Sequence, residues 1–313
     1  MNQQAIGLVD KIRHNIGHVM VGKRQALDLI LIAILSRGHV LLEDIPGIGK
    51  TTLVSAIARS LGLSFQRIQF TPDVMPSDIT GFDMYNQKSG EFEYRPGLIM
   101  NQLVLADEIN RASPKTQSSL LEAMQENQVS VDGRTYDLPE PFMVLATQNP
   151  IEQHGTYPLP EAQLDRFMLR ISLGYPTLEE EMEIYSRFTA DSPLDRLETV
   201  VSSEEIIWLQ KQVQLVFCSE AVKRYVALLA QSSRNHHDLQ LGLSPRGSLM
   251  LILAARGHAF LQGRDYVLPE DVQSMFGSVL AHRLILRPES RLRQRTVEQI
   301  MTELVRSVNI PQS

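Results

Sequence analysis

The sequence predicts an α/β domain followed by an all-helical domain, and three observations support this organisation. Short apolar runs alternate with helical patterns over residues 1–175, which is typical of a parallel sheet lying between helices. A glycine-containing motif joins the first of these runs to a helix, as in a phosphate-binding loop. After Pro176 strand signals nearly vanish and helical patterns dominate, so we expect a second domain over residues 176–313.

Five compact apolar runs are predicted to be the strands of the sheet. The first is bounded by Gly38 and Pro46, which favours a short buried strand. The predicted strands cover residues 39–43, 64–70, 103–106, 142–146 and 167–173. The predicted helices cover residues 50–61 and 114–126 in the first domain, and 178–188, 204–216, 221–232, 245–261, 269–286 and 296–308 in the second.

Two segments do not fit the strand–helix alternation. Residues 72–97 are rich in Pro, Gly, Asp and Ser and show no clear helical or strand period. Residues 128–138 are predicted to be two short strands around Asp132-Gly133, a favoured dipeptide of tight hairpins. Both segments could instead be ordinary surface loops. Residues 72–97 also contain four aromatic residues, Phe82, Tyr85, Phe92 and Tyr94. These could hold a protein partner or could pack the segment onto its own domain.

The composition is that of an ordinary soluble globular protein, with 43% hydrophobic and 21% charged residues. The strongest apolar stretch, residues 27–35, is about half the ~20 residues that a membrane span needs and contains Asp28. No basic segment with a following apolar stretch opens the chain, so we expect a cytoplasmic protein. The net charge of −6 weighs against nucleic-acid binding. Cys218 is the only cysteine, which excludes an intrachain disulfide and favours a buried thiol.

Residues 44–51, Asp-Ile-Pro-Gly-Ile-Gly-Lys-Thr, have the context of a phosphate-binding P-loop, because they follow a predicted strand and open a predicted helix. Backbone N–H groups at the start of that helix would face the phosphates. Lys50 is expected to pair with the β- and γ-phosphates, and Thr51 to hold Mg²⁺. Asp44 stands where the usual first glycine would be, and we expect it to use the tolerance of Asp for left-handed backbone angles.

An acidic pair follows the third predicted strand. Asp107 and Glu108 stand at its carboxyl end, where ligands of open α/β sheets bind. Asp107 is expected to bind Mg²⁺ through water, and Glu108 to polarise the attacking water as a general base. An acidic pair alone is usually a solvated strand end, but downstream of a P-loop it predicts ATP hydrolysis.

Three weaker candidates lie further along the chain. Asn149 could orient the water near Glu108, or could simply begin an Asn-Pro turn. Arg166 could be an arginine finger that acts on a neighbour's ATP, or could form a surface ion pair with Asp165. Arg246, in the first turn of a predicted helix, could reach the γ-phosphate or be merely exposed. Chemistry alone leaves these alternatives open.

Five motifs, taken in order, resemble those of the MoxR family of AAA+ ATPases. They are Asp-x-Pro-Gly-x-Gly-Lys-Thr at 44–51, Leu-Ala-Asp-Glu-Ile-Asn-Arg-Ala at 105–112, Ala-Thr-Gln-Asn-Pro at 146–150, Leu-Pro-Glu-Ala-Gln-Leu-Asp-Arg-Phe at 159–167 and Ser-Pro-Arg at 244–246. The resemblance implies an AAA+ P-loop NTPase core, a parallel five-stranded sheet between helices, with a C-terminal helical lid. The family also carries an insert before the Walker B strand and a hairpin before sensor 1, which match 72–97 and 128–138.

The resemblance implies a role for each matching residue. Lys50 and Thr51 are then Walker A, and Asp107 and Glu108 are Walker B. The implied catalytic residues are Lys50, Glu108, Asn149 as sensor 1, Arg166 as arginine finger and Arg246 as sensor 2. The residues expected to hold ATP or ADP are Val21 and Gly22 at the adenine, then Asp44, Ile45, Pro46, Gly47, Ile48, Gly49, Lys50, Thr51 and Thr52. Thr51 and Asp107 are expected to hold Mg²⁺.

The resemblance further implies a hexameric ring that remodels, activates or loads cofactors or metal into protein clients, among them von Willebrand A-domain proteins. A nucleic-acid motor is the alternative, because helicase relatives carry the same two inserts, although the acidic balance disfavours it. A scaffold that binds ATP without turnover is disfavoured by Glu108. His14 and His18 are four residues apart and could bind a metal, but no third ligand is evident in the sequence.

Overall fold

The computed structural model describes residues 3–149, 155–188 and 193–310. Its strands are β1 (Val40–Glu43), β2 (Phe65–Gln69), β3 (Gly81–Asn86), β4 (Glu91–Pro96), β5 (Leu103–Asp107), β6 (Gln128–Val131), β7 (Arg134–Asp137), β8 (Met143–Gln148), β9 (Leu169–Ile171), β10 (Leu239–Leu241) and β11 (Ile285–Leu286). Its α-helices are α1 (Gln3–Gly17), α2 (Arg24–Leu35), α3 (Lys50–Ser60), α4 (Pro76–Thr80), α5 (Pro114–Glu126), α6 (Glu161–Leu164), α7 (Leu178–Phe188), α8 (Ser203–Gln214), α9 (Glu220–Arg234), α10 (Pro245–Leu261), α11 (Pro269–Leu280), α12 (Pro288–Leu292) and α13 (Val297–Ser307).

The five predicted strands form one sheet in the order β2-β5-β8-β1-β9, and each neighbouring pair is parallel. All residues of β5 are buried, as expected for a central strand with both faces covered. Because the strands are parallel, the carboxyl ends of β1, β5 and β8 lie at one edge of the sheet. The predicted α/β fold class is therefore confirmed.

The two faces of the sheet pack against different clusters of buried side chains. One cluster contains Leu41, Val104 and Leu120 of α5. The other runs without interruption from α1 and α2 to the helices after α7, and Ile32 and Leu251 both belong to it. At Gly257 helices α10 and α2 approach so closely that a Cβ atom would lie 2.9 Å from the Ile32 side chain. The C-terminal helices thus share a core with the first two helices of the chain.

The C-terminal region is helical as predicted, with two short exceptions. The predicted helix over 269–286 is too long, because α11 ends at Leu280 and Ile285–Leu286 forms β11, which pairs with β10 in antiparallel fashion. The apolar run at 284–286 continued the helical pattern of the sequence, and periodicity alone does not separate a short buried strand from a helix. Cys218 is buried, as expected.

Residues 72–97 are more regular than their sequence suggested. They fold as the short helix α4 and the antiparallel hairpin β3–β4, in which Tyr85 pairs with Phe92. No alternating pattern marked these strands, because side chains on both sides of the hairpin are partly exposed. The predicted hairpin over 128–138 is confirmed as β6–β7, and Asp132 and Gly133 at its turn both have positive φ.

The two hairpins contact each other through an aromatic stack. The Tyr94 ring of β4 lies flat against the Tyr136 ring of β7, with 3.8 Å between their centroids. The Tyr94 hydroxyl also donates a hydrogen bond to the Thr80 carbonyl at the end of α4. Within the described ranges, no helix combines the length and the apolar character that crossing a membrane would require.

Candidate nucleotide site

The P-loop connects β1 to the start of α3 at the carboxyl edge of the sheet. Gly47 and Gly49 have φ of +86° and +89°, a region that residues with a Cβ atom rarely adopt, so the chain can turn sharply into the helix. The Lys50 ammonium donates a hydrogen bond to the Asp44 carbonyl at 2.8 Å. Thr51 and Thr52 lie in the first turn of α3, where backbone N–H groups have no partner within the helix. This arrangement can hold phosphate groups.

Asp44 does not behave as a substitute for glycine, and the expectation of left-handed backbone angles at this position is wrong. Its side chain is buried, with 7% exposure, and points toward the segment after β9. The carboxylate accepts hydrogen bonds from the Ser172 hydroxyl and from the backbone N–H groups of Leu173 and Gly174. The carboxylate therefore has a bonding role that a glycine could not perform.

Asp107, at the end of β5, is held from two sides. One carboxylate oxygen accepts the Thr147 hydroxyl at 2.6 Å, and the other accepts two guanidinium nitrogens of Arg67 at 2.7 and 3.1 Å. Arg67 and Thr147 lie on β2 and β8, the two strands that flank β5. Neither residue was predicted as part of the site. Thr147 could have been found within the Ala-Thr-Gln-Asn-Pro motif, but only the strand order brings Arg67 to Asp107.

Glu108 follows directly in the left-handed backbone conformation, with φ of +57°. Such angles are uncommon for residues with a side chain and concentrate at functional sites. Its backbone N–H donates to the Thr147 hydroxyl at 2.8 Å. Its carboxylate accepts a hydrogen bond from the Gln69 side-chain amide at 2.8 Å and lies 3.2 Å from the Arg111 guanidinium. Gln69 and Arg111 are further site residues that the sequence did not reveal.

Asn149 comes directly after β8, the strand that lies between the P-loop strand β1 and the acidic strand β5. It is buried, with 7% exposure, and Gln148 just before it accepts a backbone hydrogen bond from Asp44. This position between Lys50 and Glu108 is the one that a residue orienting a water at the γ-phosphate would need. Pro150, the last residue of the same motif, lies outside the described residues.

A cavity of about 390 Å³ opens beside the P-loop. Of the predicted nucleotide-binding residues, its walls include Val21, Ile45, Pro46, Gly47, Ile48, Gly49 and Thr52. The other lining residues were not predicted: Val19, Met20, Lys23, Tyr175, Pro176, Glu181, Ile184 and Tyr185. Gly22 is not among the lining residues. Gly22 has a positive φ, and the Glu180 carboxylate lies where a Cβ atom at this position would be. Both features favour glycine beside Val21. The apolar walls suit a flat base such as adenine.

The two predicted arginines lie together, away from the P-loop of their own chain. Arg246 donates to Gln125 in the last turn of α5 at 3.4 Å. The carbonyl of the neighbouring Met124 contacts His39, which precedes β1 and therefore marks the amino edge of the sheet. Burial lowers the pKa of Arg166, and the positive charge of Arg246 lowers it further. The two guanidinium groups thus influence each other at the edge opposite the P-loop.

Asp165 does not serve as a surface partner of Arg166. Its carboxylate accepts Arg283 at 2.7 Å and the Ser244 hydroxyl at 3.0 Å. Arg283 is buried, and burial lowers the pKa of its guanidinium while the hydrogen bond to Asp165 raises it. The Asp165 carboxylate therefore does not form the ion pair with Arg166 that the sequence left open. Its bonds instead join the segment before β9 to α10, the helix that carries Arg246.

His14 and His18 are close, with ring centroids 4.6 Å apart in an edge-to-face arrangement. They are not part of any group of three metal-ligating side chains found among the described residues. The one such group is His236, His237 and Asp238, and there the carboxylate is already bonded to Ser290 and Arg295.

The sheet order, the P-loop and the acidic pair at the end of β5 define a P-loop ATPase of the AAA class. A family model described as the ATPase family associated with various cellular activities (AAA) matches residues 39–169, and an AAA lid domain model matches residues 231–304.

Whole-chain comparisons narrow the class to one family. The chain is 51% identical over 304 residues to the uncharacterized protein YeaC of Bacillus subtilis, covering 97% of this chain and 95% of that protein. It is 43% identical to chaperone MoxR1 of Mycobacterium tuberculosis (94% and 80% covered) and 33% identical to protein MoxR of Methylorubrum extorquens (95% and 92% covered). A crystal structure of a Cytophaga hutchinsonii protein assigned as an ATPase superposes with a TM-score of 0.93 at 39% identity, covering 99% and 96% of the two chains. The chain belongs to the MoxR family of AAA+ ATPases.

Proposed function

We propose that this chain is a Mg²⁺-dependent ATP hydrolase of the cytoplasm that forms a hexameric ring. The ring uses ATP turnover to remodel client proteins, to activate them or to load cofactors or metal into them. The observation that carries the proposal is the convergence of the P-loop, Asp107-Glu108 and Asn149 at one edge of the sheet, beside an apolar cavity. Open parallel sheets bind their ligands at this edge.

The proposed division of labour follows from the side chains. The cavity takes the base, and the N-terminus of α3 with Lys50 takes the phosphates. Glu108 accepts a proton from the attacking water, and Asn149 orients that water. The Thr51 hydroxyl and the Asp107 carboxylate offer the oxygen ligands that Mg²⁺ prefers, so the donor set fits the ion. When bound, Mg²⁺ would neutralise negative charge on the β- and γ-phosphates.

Arg166 and Arg246 are proposed to act on the nucleotide of a neighbouring subunit. Their position at the amino edge of the sheet keeps them from the P-loop of their own chain, since β1 alone is about 13 Å long. A head-to-tail interface brings one edge of a subunit against the opposite edge of the next, and repetition of such an interface closes a ring. The proposed subunit number of six rests on the family.

The proposed client-binding segments are the β3–β4 and β6–β7 hairpins. Phe82, Tyr85 and Phe92 are 49%, 53% and 61% exposed, which is unusual for large aromatic side chains. Aromatic side chains in exposed positions are common anchors for protein partners. The relative from M. tuberculosis is named a chaperone, which supports a protein client. We include von Willebrand A-domain proteins among the candidates.

The chemistry is tested with two variants and one control. Lys50→Ala should abolish ATP binding, whereas Glu108→Gln should bind ATP normally and turn it over at least about a hundredfold more slowly, because only the base is lost. Glu289→Gln, an exposed carboxylate on α12, is the control and should match the wild type. Equal turnover by wild type and Glu108→Gln would refute the assigned base.

The client class is tested by stimulation of turnover. A purified von Willebrand A-domain protein should raise the steady-state ATPase rate, and duplex or single-stranded DNA should not. Stimulation by DNA alone would favour the nucleic-acid motor and overturn the proposed client class.

A further inference from the structure

Residues 172–177 connect β9 to helix α7, and we call the first four of them, residues 172–175, the strap. Asp44 holds the strap from one side. Its carboxylate accepts the Ser172 hydroxyl at 2.7 Å, the Gly174 N–H at 3.3 Å and the Leu173 N–H. Hydrogen bonds to an ionised acceptor are roughly twice as strong as neutral ones. The strap is therefore bound firmly to the first residue of the P-loop.

Lys23 holds the strap from its carbonyl side. The Lys23 ammonium donates to the carbonyls of Leu173, Gly174 and Tyr175 at 2.9, 3.1 and 3.3 Å. The carboxylate thus takes the N–H groups of this short segment and the ammonium takes its C=O groups. Gly174, with φ of +62°, allows the chain to turn between them. A connection with so many backbone groups bonded to side chains follows one fixed path and is not a loose linker.

The strap carries one wall of the nucleotide cavity. Tyr175 lines that cavity, and α7 contributes Glu181, Ile184 and Tyr185 to the same wall. The opposite wall is formed by the P-loop and by the segment before α2, which includes Val21.

Two attachments hold the α7 wall. The strap lies at the start of α7 and is fixed by Asp44 and Lys23. Arg187, near the end of α7, donates to the Gly17 and His18 carbonyls. Asp44 therefore acts on the end of the α7 wall that follows the strap.

A carboxylate in a phosphate-binding loop needs a compensating role, because it would repel the phosphates if it faced them. Asp44 resolves this conflict by turning its side chain away from the loop, into the strap. Its backbone still serves the P-loop, since its carbonyl accepts the Lys50 ammonium. One residue thus contacts both Lys50 of the P-loop and the strap that leads to the α7 wall.

We propose that Asp44 is a positioning residue that sets the α7 wall of the nucleotide cavity through the strap, and so governs affinity for the nucleoside part of the ligand. The proposal rests on the proposed nucleotide site. A nucleotide that packs between the two walls binds more tightly when α7 is correctly placed. A ligand that consists of phosphate alone does not touch that wall, so its affinity does not depend on α7.

Comparing the affinities for ADP and for inorganic pyrophosphate distinguishes a role of Asp44 at the α7 wall from a role in the P-loop itself. We expect Asp44→Gly, which restores the usual glycine but removes the carboxylate, to weaken binding of a fluorescent ADP analogue about tenfold, within the usual range of coupling between sites. Competition by inorganic pyrophosphate against that analogue should give an unchanged pyrophosphate affinity. Ser172→Ala removes one exposed donor from the same contact and should weaken ADP binding by about threefold, with no change for pyrophosphate.

The outcomes distinguish the proposals. Equal loss of ADP and pyrophosphate affinity would show that Asp44 acts on the P-loop itself and would overturn the proposal. The same follows if both variants bind ADP like the wild type. If the thermal melt shows that Asp44→Gly does not fold, the affinities for ADP and pyrophosphate are compared in Ser172→Ala and Asp44→Asn instead. A wild type that fails to bind the ADP analogue would instead refute the proposed nucleotide site.

Discussion

At the scale of single residues, the two adjacent acids of the site are held in different ways. Asp107 is buried and bonded to Thr147 and Arg67, which fixes its orientation. Glu108 is bonded at its carboxylate by Gln69 and Arg111. These two contacts hold the Glu108 carboxylate in one orientation. The structure therefore presents Glu108 in a restrained state, and Gln69 on the edge strand β2 is one of its two restraints.

We expect Gln69→Ala to raise basal ATPase turnover about two- to fivefold, because Glu108, the proposed general base, loses one of its two restraints. Steady-state phosphate release measures this directly. Gln66→Ala is the matched control, since Gln66 is a half-buried glutamine of the same strand whose side-chain amide donates to the Arg67 carbonyl. A decrease in turnover for Gln69→Ala would show that Gln69 instead orients Glu108 for catalysis.

Several of these residues could be predicted from the sequence and others could not, for a physical reason. Lys50, Thr51, Asp107 and Glu108 were found because each lies in a contiguous motif whose spacing reflects one strand and its turn. Arg67 contacts Asp107 only because β2 pairs with β5 in a particular register, which places Gln69 opposite Asp107. Strand order is a property of the folded sheet, so the local sequence around Asp107 does not point to Arg67.

At the scale of elements, the hairpins β3–β4 and β6–β7 form one connected body. The Tyr94–Tyr136 stack joins them, and Thr116 of α5 donates to the Val74 carbonyl just before α4. The β3–β4 segment lies between β2, which carries Gln69, and β5, which ends at Asp107. Short connections therefore join the hairpin β3–β4 to both strands of the acidic site. The position of these segments next to the strands of the site could be predicted from their place in the chain. The Tyr94–Tyr136 stack could not, because residues 72–97 show no clear strand period.

The hairpin aromatics fall into two groups with different expected effects. Tyr85 and Phe92 are exposed and contact each other, with 5.4 Å between ring centroids, whereas Tyr94 is packed against Tyr136. We expect Tyr85→Ala with Phe92→Ala to keep basal ATPase and the melting temperature near wild type while abolishing client-stimulated turnover. Tyr94→Ala is the contrasting variant and should lower the melting temperature, since it removes a stack worth about 0.5–1.5 kcal/mol beyond its buried area. If the double variant unfolds or loses basal hydrolysis, the exposed pair is structural and the client-contact proposal is wrong.

At the scale of the whole molecule, Arg166 before the sheet strand β9 and Arg246 on the C-terminal helix α10 lie in segments that are bonded to each other. The Asp165 carboxylate binds Arg283 of the segment after α11 and Ser244 at the start of α10, so Arg166 and Arg246 are fixed relative to each other. The continuous core between α2 and α10 adds to this coupling. Under the proposed assignment, a subunit carries a P-loop half-site at the carboxyl edge of its sheet and an arginine half-site at the amino edge, and a neighbouring copy joins the two halves.

Mixing of variants tests whether the halves come from different subunits. Arg166→Ala should bind ATP at its own P-loop but hydrolyse it slowly, since an arginine finger contributes about 10³–10⁵ in rate. Glu108→Gln has an intact arginine half and a defective P-loop half. In mixed rings an interface is complete where the P-loop half of an Arg166→Ala subunit meets the arginine half of a Glu108→Gln subunit. Equal mixing should then restore about a quarter of wild-type turnover if interfaces form at random.

The control for this experiment is a pair with both defects in the same half-site. Lys50→Ala mixed with Glu108→Gln leaves no interface with a complete P-loop half, so turnover should not return. Arg246→Ala should complement Glu108→Gln as Arg166→Ala does, because the two arginines lie together beside α5. If co-assembly is demonstrated and neither arginine variant regains activity with Glu108→Gln, the arginines act within their own subunit. In that case α10, which carries Arg246, would have to move from the end of α5 to the carboxyl edge of its own sheet.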